Sequence, residues 1–133
     1  MLDREIVMAN QLLYGDESII RSLEGADVIN EAFKDALACE DTKEVIIHKT
    51  MRLAALIKLF QPFYDGNNRT AVLLIGYILN KKGITFNTRG AMNEFHNHKL
   101  IIPTIYDIDD NISERSISSL DNYIGKDIDI NER

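Results

Sequence analysis

From Ala71 to Leu79 the chain runs Ala-Val-Leu-Leu-Ile-Gly-Tyr-Ile-Leu, with no polar side-chain atom except the hydroxyl of Tyr77. A helix over such a run is apolar on all sides. It has no face to offer water, so it belongs at the centre of its domain. The run is also too short to cross a bilayer, which takes about 20 residues. The expected helix covers about 67–82. Gly83 ends it, and Gly76 inside it permits close approach of a neighbouring helix. The stretch before Gln61 reads as a second greasy helix. It opens at Asp41 with Glu44 as a capping box and runs to about Phe60, with only His48, Lys49 and Arg52 marking an exposed strip. Two buried helices thus form a hairpin, joined by the polar turn Gln61-Pro62-Phe63-Tyr64-Asp65-Gly66-Asn67-Asn68-Arg69-Thr70.

The remaining chain supplies elements to surround this hairpin. Residues 3–14 read as a helix with Ile6, Val7, Ala9, Leu12 and Leu13 near one face, Asp3 as N-cap and Gly15 as stop. Residues 27–39 carry a helical stripe of Val28, Ile29, Ala32, Phe33, Ala36 and Leu37. Between them, residues 15–26 hold either one helical turn around Ile19 and Ile20 or a short extended flap. Ile84-Thr85-Phe86 reads as extended, residues 89–99 as helical around Met92 and Phe95, and 112–125 as a closing helix. Asn111 or Ser113 caps that helix, with Ile117, Leu120, Tyr123 and Ile124 turned inward, and a frayed polar tail follows. The expected fold is all-α, a single domain over 1–133, with six to seven helices around one buried helix.

Composition narrows the function classes. The chain has 133 residues, 45% hydrophobic and 27% charged, which is ordinary for a globular domain. A net charge of −6 with scattered lysines and arginines argues against nucleic-acid binding, which needs basic surface. No signal-peptide or membrane-spanning pattern is present. The one cysteine, Cys39, ends an amphipathic pattern and reads as a small buried residue. With no internal disulfide to form, a cytoplasmic setting is expected.

The joint between the helices has the chemistry of an anion site. Free N–H groups and the positive end of the helix dipole face whatever occupies the turn. Gly66 closes the loop and lets an anion approach the main chain. Asn67 and Asn68 offer amide donors, and Arg69 offers a charged fork suited to phosphate. A cation in the first turn opposes the helix dipole, which favours an anion beside Arg69. Asp65 alone reads as a helix cap. In this setting it is also the hard oxygen ligand a magnesium ion needs when phosphates fill the turn. Phe63 reads as a core anchor of the loop.

These residues resemble the signature of the Fic/Doc (Fido) family, H-x-F-x-[DE]-G-N-x-R. Pro62, Phe63, Asp65, Gly66, Asn67 and Arg69 follow that order. The short death-on-curing (Doc) proteins are similar over more of the chain: a Tyr14-Gly15 pair near the start, the motif mid-chain, a Gly after the motif helix, and a closing helix. Arg69-Thr70-Ala71 is Doc-like. Val72 stands where the longer Fic proteins often place a second arginine. The resemblance implies the Fido fold and transfer of AMP or phosphate from ATP, with Mg2+, to a protein hydroxyl. It further implies Asp65 for the metal and Gly66, Asn67, Asn68 and Arg69 for the nucleotide phosphates. A flap upstream of the motif would pair with the target protein, and a separate antitoxin would hold a Doc-like toxin in check.

The sequence departs from the family at its first motif position. Gln61 stands where the family has its catalytic histidine, the general base. An amide has no useful basicity, and losing a general base typically removes about 10²–10⁴ in rate. Three readings follow: a nucleotide-binding relative with impaired catalysis, a non-catalytic interaction module, or an active toxin whose histidine was replaced by mutation. His48 lies thirteen residues before Gln61 on one helix, roughly 20 Å away at about 1.5 Å per residue. His96 and His98 read as surface residues near a helix end. Asn68 occupies a position where Fic proteins often have Gly and Doc has Lys, so it leaves AMP or phosphate transfer open. Glu24-Gly25 fits the end of the family's inhibitory motif [ST]-x-x-x-E-[GN], but Ile20 stands where Ser or Thr is required, so no built-in inhibitor is expected.

Overall fold

A computed structural model describes residues 1–104 and 114–125. Six α-helices occur among them: α1 (Arg4–Tyr14), α2 (Ala26–Ala38), α3 (Lys43–Phe60), α4 (Asn67–Lys81), α5 (Thr88–Asn93) and α6 (Glu114–Ser119). Short 3₁₀ turns at Gly15–Glu17, Phe95–Asn97 and Leu120–Asn122 punctuate them. The fold is all-α. Among the described residues β pairing is limited to two isolated antiparallel bridges, Ile20 with Phe63 and Phe86 with Ile124.

The apolar run of α4 forms the middle of the molecule. Ala71, Val72, Leu74, Ile75, Gly76, Ile78 and Leu79 are buried, with α3 and α1 packed along the helix. α3 buries Ile46, Ile47, Met51 and the continuous stretch Leu53–Ile57, leaving His48 exposed and Lys49 and Arg52 half-buried. Burying a Leu or Ile side chain stabilises by about 1.5–3 kcal/mol, so this pair of helices supplies much of the core. One edge of α4 stays open, since Tyr77 is 39% exposed. Its ring stacks on Phe33 at 6.2 Å and lies under the Lys81 ammonium.

Several sequence expectations shift. α3 is capped by Thr42, whose hydroxyl accepts from Val45 N–H at 3.3 Å, and not by an Asp41–Glu44 box. Thr42 wins because its β-region backbone aims its oxygen at the first turn. Asp41 instead accepts from the Thr42 N–H. Asp3 occupies the N-cap of α1, but only its carbonyl takes up helix N–H groups. Leu12, expected inward, is 80% exposed. α1 buries Ile6, Ala9 and Asn10 instead. Val28 likewise sits 40% exposed on α2. The 89–99 helix breaks into α5 and the Phe95–Asn97 turn. The closing helix is described from Glu114 and tightens into a 3₁₀ turn after Ser119. Its expected caps, Asn111 and Ser113, and the polar tail lie outside the described residues.

Two contacts fasten the periphery to the hairpin. α5 lies against α4 where Gly76 has no side chain, and a methyl there would run into Thr88 Oγ1. The 84–87 segment pairs with the C-terminal turn through Asn87 N–H to Tyr123 C=O (2.9 Å) and Gly125 N–H to Thr85 C=O (2.7 Å). Tyr123 is fully buried there, and burial pushes its phenol pKa up. Gly76→Ala is expected to cost about 1–3 kcal/mol by overpacking the α4–α5 contact, read as a lower urea midpoint with an unchanged slope.

Candidate functional site

The joint between α3 and α4 is built on two left-handed residues. Gln61 ends α3 with φ 50° and ψ 58°, and its N–H closes the helix on Ile57 C=O. Gly66 precedes α4 with φ 73°, a conformation that favours glycine. The Tyr14 ring sits against Gly66 where a Cβ would project, so a side chain there would have to displace that ring. Between these two bends Phe63 plugs into the core at 1% exposure, as an anchor should.

Two buried asparagines hold the loop. Asn67 Oδ1 accepts from Phe63 N–H at 2.9 Å, and Asn67 Nδ2 donates to Phe63 C=O at 2.9 Å and to Gln61 Oε1 at 3.3 Å. Its amide is therefore engaged in shaping the loop, which leaves its main-chain N–H for a ligand. Asn10 on α1 is 1% exposed. Its Nδ2 donates to Asp65 C=O (2.9 Å) and Thr70 Oγ1 (3.0 Å), and its Oδ1 accepts from Ser18 Oγ (2.5 Å). One buried amide thus ties together α1, the turn after it, the loop and α4. An asparagine inside an otherwise apolar helix face was the signal for it.

The upstream segment is fastened to the same loop. It is extended past the 3₁₀ turn, with Tyr64 N–H donating to Ile19 C=O (3.1 Å) and Arg21 N–H to Pro62 C=O (2.7 Å). Arg21 also donates Nε to Gln61 C=O (2.8 Å) and Nη2 to Phe60 C=O (2.9 Å). A guanidinium on the last carbonyls of α3 complements the negative end of its dipole. Ile20 faces Phe63 as a non-hydrogen-bonded pair, so its own N–H and C=O point to the opposite edge. Ile19, Ile20 and Leu23 are exposed along this segment.

A polar cavity of about 480 Å³ opens over the loop, lined by Tyr14, Gln61, Tyr64, Asp65, Gly66, Asn67, Asn68 and Arg69. It gathers all six residues singled out from the sequence, and adds the two tyrosines. The first N–H of α4 with a helical acceptor is that of Thr70, to Gly66 C=O (2.8 Å). The N–H groups of Asn67, Asn68 and Arg69 precede it, and the first turn of a helix offers them no carbonyl. Arg69 is half-buried and makes no hydrogen bond or ion pair with a described residue. Asp65 is exposed, and its Oδ1 accepts from Gly66 N–H. Gln61 Nε2 donates to Lys58 C=O (3.0 Å), so both ends of its amide have partners within the joint. Asn68 Oδ1 is buried without a partner.

The donor set limits what metal the site suits. No group of three or more His, Cys, Asp or Glu side chains that could hold a metal occurs among the described residues. Asp65 stands as a single carboxylate. That fits a magnesium ion held largely by nucleotide phosphates, and not a metal held by protein alone. No helix among the described residues is long and apolar enough to cross a membrane.

Asn10→Ala is expected to destabilise the protein by about 1–3 kcal/mol, because Thr70 Oγ1 and Asp65 C=O lose their donor. Hydrogen exchange should speed up in residues 61–70 more than in α2. Comparison with protein-family models, curated proteins and solved structures finds no match to this chain.

Proposed function

We propose that this chain is a Fic/Doc-like domain that binds the phosphates of ATP at the 61–70 joint. The observation that carries the proposal is the meeting of three features in one cavity: a guanidinium without a partner among the described residues, the open first turn of a 15-residue buried helix, and one exposed carboxylate. In this reading Arg69 and the N–H groups of Asn67, Asn68 and Arg69 receive phosphate oxygens, and Asp65 holds the metal. Mg2+, when bound, neutralises phosphate charge and so favours transfer to an oxygen nucleophile. The nucleotide would donate AMP or phosphate to a protein hydroxyl. The exposed outer edge of the 18–23 segment would receive the target's backbone. A single buried free cysteine is consistent with a reducing, cytoplasmic setting.

Gln61 gives the motif loop no general base. It does keep the backbone that a histidine would need, since histidine is among the residues that tolerate the left-handed region. Gln61→His is therefore expected to raise transfer of label from [α-³²P]ATP or [γ-³²P]ATP to protein, by about 10²-fold or more. No gain in either assay would count against the reading. Calorimetry with ATP and magnesium should show binding that Arg69→Ala weakens about 10- to 100-fold.

A second reading, a non-catalytic interaction module for an antitoxin-like peptide or another partner, draws support from Ile19, Ile20, Leu23 and Leu12. All four are exposed apolar side chains on α1 and the segment after it. Under that reading ATP produces no calorimetric signal.

A further inference from the structure

α1 reaches the cavity over the 61–70 joint through its last residue. Tyr14 ends the helix, and Gly15 turns the chain away directly after it with φ 56°. The Tyr14 ring lies over Gly66, the residue that precedes α4. Its hydroxyl oxygen is 2.8 Å from the point where a Cβ of Gly66 would project. A glycine at 66 is therefore what lets the phenol come down onto the start of α4. There it lines the same cavity as Asp65, Asn68 and Arg69. The second tyrosine of that cavity, Tyr64, is 68% exposed and belongs to its outer rim.

The phenol is held in place by the helix beneath it. Ile6, Asn10 and Tyr14 are spaced by four and share one face of α1. Ile6 is fully buried, and Asn10 bonds Asp65 C=O and Thr70 Oγ1. Those bonds pin α1 to the loop and to α4 one turn before Tyr14. The ring itself is half-buried, yet its hydroxyl makes no hydrogen bond with a described residue. A tyrosine whose ring is packed usually finds a partner for its O–H. Here the packing leaves that O–H facing a polar space whose other donors, Arg69 and the first N–H groups of α4, are also uncommitted.

We propose that Tyr14 is a phosphate-binding residue of this site, its hydroxyl donating a hydrogen bond to a phosphate oxygen of the ligand. The proposal rests on the phosphate-binding reading above and extends that site from the α3–α4 joint to α1. Arg69 and the main-chain N–H groups approach the ligand from α4, and Tyr14 approaches it from the opposite helix. A phenol adds one donor without adding charge, so it grips a phosphate oxygen and leaves charge neutralisation to Arg69 and the metal. The contact belongs to the phosphate and not to the nucleoside. It acts on binding and moves no proton.

The test is calorimetry on the full chain with magnesium and either ATP or inorganic tripolyphosphate, beside a thermal melt of the same protein without ligand. Tyr14→Phe keeps the ring over Gly66 and removes only the hydroxyl. It is expected to weaken both ligands about 10-fold or more, as loss of a hydrogen bond to a charged group does, while the melting midpoint stays put. Tyr14→Leu, which removes the ring as well, should weaken both ligands and also lower the midpoint. Unchanged affinity of Tyr14→Phe for ATP and tripolyphosphate overturns the proposal. So does a loss confined to ATP, which would put the hydroxyl on the nucleoside. A loss of affinity in Tyr14→Phe that comes with a lowered midpoint gives the residue a structural role and overturns it too. In each of those cases Arg69→Ala still weakens ATP and the phosphate site stands. Absence of ATP binding to the natural chain brings down the phosphate site itself, and this proposal with it.

Discussion

The burial of α4 governs everything around it. A helix with almost no polar surface must be walled by other helices, and walling it fixes where its first turn points. The N–H groups at that turn still require acceptors, and the dipole still presents positive charge there. The chain answers by wrapping a polar loop over the helix start while α1, α3 and α5 pack along the helix body. The anion-type cavity is thus a consequence of packing as much as of the residues that line it.

Two side-chain amides turn this requirement into a defined shape. Asn67 bonds both polar groups of Phe63, which locks the loop's own curvature. Asn10 bonds the loop from the opposite side and connects it to α1. Both are buried, and leaving either without partners would carry the full desolvation penalty of an amide. Such residues trade adaptability for precision, a useful exchange where a cavity must keep its form before a ligand arrives. Arg21 adds a third tether, since it covers the last carbonyls of α3 and holds the upstream segment against the loop.

Gln61 occupies left-handed backbone at the end of α3 and lines the cavity over the loop. Gln61 has become part of the scaffold, with its amide bonded to Lys58 and Asn67.

Much of this was legible in the chain itself. The central helix follows from nine consecutive residues without a polar face, and the hairpin follows from a second apolar helix just before it. The motif order alone placed Asp65, Gly66, Asn67, Asn68 and Arg69 in one turn, because neighbours within ten residues cannot stray far from each other. Other features needed the fold. The partners of Asn10 lie on the loop and α4, and Leu12 lost its expected place because an amphipathic pattern fixes a helix face only to within a residue or so. The split role of Asn67 and the hold of Arg21 on α3 depend on side-chain direction or on contacts between residues about forty positions apart. Only the closed fold decides those, since periodicity says which residues leave water and not which partners they meet.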